Sequence, residues 1–319
     1  MEKLSSSFVL ILSCFACVAL SFLTASCGSS DNQIPLTSAA ENGTNNAAAS
    51  HLLAEARSLQ SQGKNDKAID TYQDVSKKYP RTEAAADARF AEGNLLYKEG
   101  DLLKAFEAYQ DLIANYPRSQ HYSPALKRQQ AVALDAAEGV IKNNFLGLKT
   151  KINPARSTKM LANVRDNAPQ APSASIAQYH IGRVWQNNGN AQKALSAYLR
   201  ISADYPNSSQ APEALYQRGQ ILIMKADKGN QNSAHLNQAK SIFQDLIERY
   251  PNNKRASDAR KSITKLAGQD IQRSYDTAEF YRKKGNNDSA IFYYKEVTRK
   301  SKSGNLYNLA TARLSELSQ

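Results

Sequence analysis

Cysteine vanishes after the N-terminus: the chain's three, Cys14, Cys17 and Cys27, all precede residue 28. The remainder of the 319 residues can hold no disulfide, no thiolate nucleophile and no cysteine-ligated metal. Histidine is almost as scarce. His51, His121, His180 and His235 are scattered, with no metal-ligand spacing around any of them and no Ser-His-Asp or paired-carboxylate context. The glycines sit in turns or at tight helix contacts, and none builds a phosphate-cradling loop. These gaps lead to the expectation of a protein that is not an enzyme, with no cofactor, no metal and no small-molecule substrate. Long apolar runs are missing too, apart from Phe8 to Leu23, which Ser13 and Ser21 interrupt and which is short for a transmembrane helix.

That run, preceded by Glu2 and Lys3 and ending in Leu23-Thr24-Ala25-Ser26-Cys27, has the apolar core and small-residue exit of a secretory signal. Ala25-Ser26-Cys27-Gly28 resembles a bacterial lipobox, in which the cysteine sulfur receives diacylglycerol and becomes the new N-terminus. The expected layout is a lipoprotein signal peptide over 1–26, lipidation at Cys27 and a disordered tether over 27–46, rich in Ser, Asn and Gly. Cys14 and Cys17 form a C-x-x-C, but inside a signal core they act as small hydrophobes that are cut away. About twenty residues of flexible chain reach roughly 25 Å, so the domain hangs near its membrane. Under the sorting rule of related lipoproteins, the absence of Asp directly after Cys27 implies the outer membrane, with the domain facing the periplasm.

What the chain has in abundance is a repeated phrase. Tyr-Pro occurs at 79–80, 116–117, 205–206 and 250–251, and an alanine lies twelve residues before each proline: Ala68, Ala105, Ala194 and Ala239. Ala56, Gly93 and Gly182 lie twelve before three of those alanines, and an aromatic sits four past each, at Tyr72, Tyr109, Tyr198 and Phe243. Small residues let two antiparallel helices approach, the aromatic fills the gap between layers, and proline stops the second helix. A period of roughly 34 residues means an α-solenoid, and the pattern is similar to the tetratricopeptide repeat. The fold expected is all-α: a right-handed α-solenoid of about five to six such helix pairs plus a C-terminal capping helix, filling residues 47–319.

The repeats read as 47–80, 84–117, an irregular 123–169, 174–206, 211–251 and 270–302, with a cap over 304–318. Asp66 and Thr82 are the expected N-caps of their helices. A long helix is expected from Pro124 to Lys142; residues 143–157 then lose all period, and Pro154 starts the next helix. The fifth repeat has twenty residues between Gly219 and Ala239 in place of twelve, an extension placed around Asp227 to Ser233. Ala256 to Ala267 is expected to lead into a sixth A helix through Gln272 to Lys284, with Ala278 and Ala290 restoring the spacing of twelve. Trp185, the only tryptophan, falls on a packing face.

A lipobox cysteine, a short tether and repeats ending in Tyr-Pro resemble the BamD family, tetratricopeptide lipoproteins of the outer-membrane β-barrel assembly machine. The stretch from Tyr275 through Gly285, followed by Ala290, carries the likeness best, being similar to that family's Ala-x-x-Tyr-x-x-(Arg/Lys)-Gly. The resemblance implies a non-enzymatic scaffold whose early repeats receive the C-terminal segments of unfolded barrel proteins. It implies that the late repeats dock a barrel-forming subunit and accessory lipoproteins. The insertion at 143–157, the long fifth turn and the missing sixth Tyr-Pro depart from the family pattern. An alternative resemblance, to the Tol-Pal coordinator CpoB family of envelope adaptors, fits less well, because this chain has Cys27 and no heptad run.

In such a solenoid the A helices line the concave face. The candidate partner groove is Arg57, Gln60, Asn94, Tyr97, Arg183 and Gln186, with Arg89, Phe90 and Tyr179 one turn earlier. The formal charge of +12 is unchanged by loss of the signal, since Glu2 and Lys3 cancel. In an exported lipoprotein this basicity suits anionic headgroups or acidic protein partners within a screening length of about 8 Å, with no role for nucleic acid.

Overall fold

The computed structural model describes residues 39–139, 144–145, 148–149, 151–228 and 233–318. Their helices alternate between A and B positions: α1 (Ala39–Ser61) and α2 (Asn65–Lys78), α3 (Glu83–Glu99) and α4 (Leu102–Asn115), α5 (Tyr122–Glu138) and α6 (Pro154–Asn167). Then come α7 (Pro172–Asn187) and α8 (Ala191–Asp204), α9 (Ala211–Lys228) and α10 (Ser233–Arg249), α11 (Lys254–Lys283) and α12 (Asn287–Lys300), closed by α13 (Asn305–Leu317). Two strand pieces, β1 (Asn144–Phe145) and β2 (Leu148–Lys149), pair antiparallel in the connection between α5 and α6. The fold is an all-α tetratricopeptide solenoid.

The Tyr-Pro phrase does what its chemistry requires. Proline bars the preceding residue from helical geometry, so Tyr79, Tyr116 and Tyr205 turn out of the helix at ψ 51°, 56° and 50°. Each tyrosine still donates its N–H four residues back, at 2.9, 2.8 and 2.9 Å. Its carbonyl then accepts from the residue three further on, closing the turn that launches the next A helix. Thr82 is the cap expected of it, its side chain accepting from Ala85 N. Between A and B helices, Gly100 and Gly189 stand at φ +90° and +73°, a region that costs other residues strain. Asp101 and Asn190 follow them and cap the B helices by accepting from the N–H three residues on, at 3.0 Å each.

Every substantial helix contact joins neighbours or next-neighbours along the chain, which makes the assembly a line of pairs. Among next-neighbours, α1 meets α3, α5 meets α7, α9 meets α11 and α11 meets α13, while among the described residues no two B helices share comparable contact. The A helices therefore crowd the inner curve and the B helices splay on the outer one. Within a repeat the aromatic lies flat on the small residue. A Cβ built on Gly93 would sit 2.7 Å from the Tyr109 ring, on Gly182 2.4 Å from Tyr198, and on Gly219 2.3 Å from Phe243. Tyr72, Tyr109, Tyr198, Phe243 and Tyr294 are among the largest fully buried side chains.

The structure corrects the sequence reading in four places. Helix α1 begins at Ala39, inside the span read as tether, where Ala39-Ala40-Glu41 and Ala47 to Ala49 are strong helix formers. The cap of α2 falls at Lys64 with no side-chain bond, so Asp66 serves its first turn as a favourable charge at the positive helix end. Helix α5 ends at Glu138 because Gly139 takes a left-handed φ of +76°. No break separates residues 267 and 270: α11 runs 30 residues unbroken. Pro251 is the last proline in the chain, and a lone Gly268 costs a helix only about 1 kcal/mol without ending it. Residues 1–26, Cys27 and the tether up to residue 38 lie outside the described residues, as do parts of the 143–157 insertion and of the fifth turn.

Candidate functional site

The inner face is built from A-helix side chains, and two kinds of bond occupy it. The first ties a repeat to itself, in the first, second, fourth and last. Tyr72 donates to Gln60 at 2.7 Å, Tyr109 to Asn94 at 2.9 Å and Tyr198 to Gln186 at 2.7 Å. In the last repeat Tyr294 donates to Glu279. Burial pushes these phenols above their ordinary range, so they remain donors at any physiological pH. Gln60, Asn94 and Gln186 thus hold the core aromatics of their own repeats.

The second kind ties one repeat to the next. Arg57 of α1 meets Asp87 of α3 at 3.1 Å, and His121 at the head of α5 meets the same carboxylate at 2.9 Å. Phe90 lies face-on to the His121 ring, with centroids 4.5 Å apart. Further along, Tyr97 donates to Asp135 of α5 at 2.6 Å, which raises its own phenol pKa. Arg183 of α7 stands 4.0 Å from Glu138 of α5, Gln186 donates to Gln217 of α9 at 3.0 Å, and Arg255 of α11 pairs with Glu213 of α9. Within its own repeat, Tyr179 packs on Tyr198 with ring centroids 5.6 Å apart. Asp87, Asp135, Glu138 and Glu213 are the partners that reading the sequence missed. The clue was available: each lies on the A helix one repeat away from its basic or phenolic mate.

Two candidate residues part company here. Arg183 is 44% exposed and borders a notch of about 350 Å³ between α5 and α7, shared with Glu138, His180, Val184 and Asn187. Burial, with the Arg183 charge beside it, lowers the His180 pKa and keeps that imidazole neutral. Arg89 is turned toward its own B helix, 2.8 Å from the buried Glu92 and 2.7 Å from Asp111 of α4. Glu92 in turn accepts from Gln73 of α2. The structure therefore places Arg89 in a joint between helices, with Arg57, Arg183, Tyr97 and Phe90 on the A-helix face. Among the described residues no group of three or more His, Cys, Asp or Glu could hold a metal ion, and no helix is long and apolar enough to cross a membrane.

Paired helices, close glycine–aromatic packing and Tyr-Pro stops define a tetratricopeptide repeat protein, and residues 53–119 match the tetratricopeptide repeat profile. Residues 149–308, half of the chain, match the YfiO profile, described as outer membrane lipoprotein; the chain belongs to that family. It is 24% identical over 143 residues to the outer membrane protein assembly factor BamD of Neisseria gonorrhoeae, and equally to that of Neisseria meningitidis. The match covers 42% of this chain and 54% of the relative, so the chain spans about half the length of the curated relatives it matches. Among solved structures it is similar to MamA from Desulfovibrio magneticus, at 14% identity and a TM-score of 0.32 over 65% of this chain and 97% of that one. A tetratricopeptide repeat protein from Parabacteroides merdae gives 12% identity and a TM-score of 0.33, over 85% of this chain and 99% of that one.

Proposed function

We propose that this chain is a non-enzymatic scaffold subunit of outer-membrane β-barrel protein assembly, anchored to the outer membrane through a lipid on Cys27 and facing the periplasm. The observation that carries the reading is the family match over residues 149–308, on a line of paired A and B helices. The A-helix residues Arg57, Phe90, Tyr97, Tyr179 and Arg183 present cations and rings at successive repeats, a spacing suited to an extended peptide with an aromatic end and a free carboxylate. Docking acts by exchange: an incoming carboxylate competes with Glu138 for Arg183, whose 4.0 Å pairing is loose. Gln60, Asn94 and Gln186 border that track but hold their tyrosines, so they shape it.

The test is purification of the full chain from detergent-solubilised membranes. Co-purification of a large β-barrel protein with periplasmic domains supports the reading. Recovery of peptidoglycan-associated proteins in its place would show an envelope adaptor instead. Labelled palmitate incorporated in wild type and absent in Cys27→Ser checks the anchor separately.

A further inference from the structure

The last repeat carries a surface that the other repeats do not. In the second, fourth and fifth repeats the side chain two residues past the small residue of the A helix packs against the preceding repeat: Leu95 is 1% exposed, Val184 7% and Ile221 1%. The same position in the last repeat is Phe280, and it is 55% exposed. The cause is the length of α11. Its first half meets the fifth repeat, through Arg255 to Glu213 and Gln220 to Ser262. Its second half meets α12, through Tyr294 to Glu279 and Lys300 to Asp270. Helix α10 therefore stops short of Phe280, and the place a preceding helix fills elsewhere is vacant here.

A second position departs independently. Two past the B-helix alanine the earlier repeats carry exposed Asp70, Glu107, Ser196 and Ser241; the last carries Phe292, 59% exposed. Tyr281 and Tyr293 stack across the hairpin, centroids 5.7 Å apart and planes 5° from parallel. Because α11 and α12 run antiparallel, stepping back one residue from each turns Phe280 and Phe292 to the same face. Their rings meet those tyrosines edge-on at 5.4 and 5.2 Å, which makes one continuous four-ring surface. Its border along α11 is cationic, while along α12 Asp288 and Glu296 lie one turn either side of Phe292 and Glu296 is held by Arg299. Arg273, two turns before Phe280, has a buried Nε without a hydrogen-bond partner. Among the described residues neither Arg273, Lys283 nor Lys284 has a carboxylate within ion-pair distance. Asp276 on the same stripe accepts from Gln272 at 2.8 Å.

We propose that this vacant position is a docking slot for an amphipathic helix of a partner protein, with an apolar stripe against Phe280 and Phe292 and Asp or Glu along its edge. A helix is the occupant because in the second, fourth and fifth repeats a helix fills the equivalent place, and the carboxylates follow from the α11 cations without a carboxylate partner, of which Lys284 stands 5.9 Å over the Phe280 ring. The inference rests on the docking role proposed above and adds the chemistry of one occupant.

The experiment places a photo-crosslinking phenylalanine at 280 and, separately, at 292 in the full chain in its own membranes, with Ser196 as control. The expected result is that 280 and 292 converge on one segment of one other protein. That segment has apolar residues at helical spacing flanked by acids, and Lys283→Glu with Lys284→Glu lowers the yield about fivefold. Adducts to phospholipid, to a second copy of this chain or to a non-helical segment overturn the proposal, as do absent adducts or indifference to the charge reversal. Loss of the slot with a barrel protein still co-purifying refutes only this inference. Convergence on an acidic helix of an unrelated envelope protein refutes the assembly reading and keeps the slot.

Discussion

In the second, fourth and fifth repeats one length of A helix serves two neighbours at once, so that Gly182 receives its own Tyr198 while Val184, half a turn on, faces the repeat before. In the sixth the A helix serves them in succession, the fifth repeat along residues 255–266 and α12 along 270–283. At about 1.5 Å per residue α11 is about 45 Å long, which moves the last pair roughly 20 Å beyond its regular place. The interior repeats and the last one therefore use the same side-chain grammar with different consequences. Where helices overlap, a given offset is core; where they are drawn apart, the same offset is surface. Stacking in this molecule is decided by how long each A helix is allowed to run.

The comparison breaks first at charge. Arg89→Glu should cost about 3–5 kcal/mol, because it leaves Glu92, 3% exposed, facing a like charge between packed helices. Arg183→Glu, on an exposed side chain, should stay within about 0.5 kcal/mol of wild type while weakening partner binding. Urea unfolding of the two variants separates a joint from a surface. Next comes size. Gly182→Ala places a carbon 2.4 Å from the buried Tyr198 ring and should cost about 2–3 kcal/mol, whereas Ala278→Gly in the last repeat should cost only about 1 kcal/mol. A cost below about 0.5 kcal/mol for Gly182→Ala would mean that the Tyr198 ring shifts freely to admit the added carbon.

Much of this architecture is legible in the sequence, since it rests on short-range rules. Proline after tyrosine, a left-handed glycine before Asn or Asp, and a spacing of twelve each act through a few neighbouring residues. The misreadings arise where the cause is distant. Nothing near Gly268 says whether the helix continues; what decides it is the absence of proline through residue 319. Arg89 resembles Arg57 and Arg183 as a letter on an A helix, but its neighbours Glu92 and Asp111 draw it into the α3–α4 joint. Gln60, Asn94 and Gln186 are legible as A-helix residues, while their bonds to the core tyrosines depend on the partner helix. Phe280 is the sharpest case, because its exposure follows from a helix that is somewhere else.

In the last repeat a carboxylate holds the core tyrosine, where Gln60, Asn94 and Gln186 hold theirs with amides, and this tie should respond to acid. Glu279 receives Arg282 at 2.8 Å, the hydroxyl of Tyr294, and Arg313 at 3.5 Å. The Arg282 hydrogen bond above all, helped by Tyr294 and Arg313, holds the carboxylate down to about 2, against an ordinary 4.5. Since its folded pKa lies below its unfolded one, Glu279 contributes stability that is fully present above about 4.5 and is lost as the pH falls through about 2. Allowing for solvent screening, Glu279→Gln should cost about 1–2 kcal/mol at pH 7, with the difference from wild type closing across that window. Paired urea titrations at pH 7, 4 and 2.5 follow it, and a gap that does not narrow would place the stability elsewhere.

The finest distinction is a single oxygen. Tyr109 donates to the residue one past its glycine, Asn94, while Tyr198 donates to the residue four past, Gln186; the fifth repeat has Phe243 and no hydroxyl. Tyr198→Phe removes one bond from a buried ring and leaves Gln186 still bonded to Gln217, so the cost should be about 1 kcal/mol. The reverse change, Phe243→Tyr, would bury a new hydroxyl, ordinarily a penalty of about 1–3 kcal/mol if it finds no acceptor. Here Gln220 stands one past Gly219, where Asn94 stands past Gly93, and its amide nitrogen already reaches Ser262, leaving its carbonyl oxygen to accept. Phe243→Tyr should therefore fall within about 0.5 kcal/mol of wild type in thermal unfolding. A loss of about 2 kcal/mol would show that an acceptor at this offset is made by each repeat separately and is not part of the shared design.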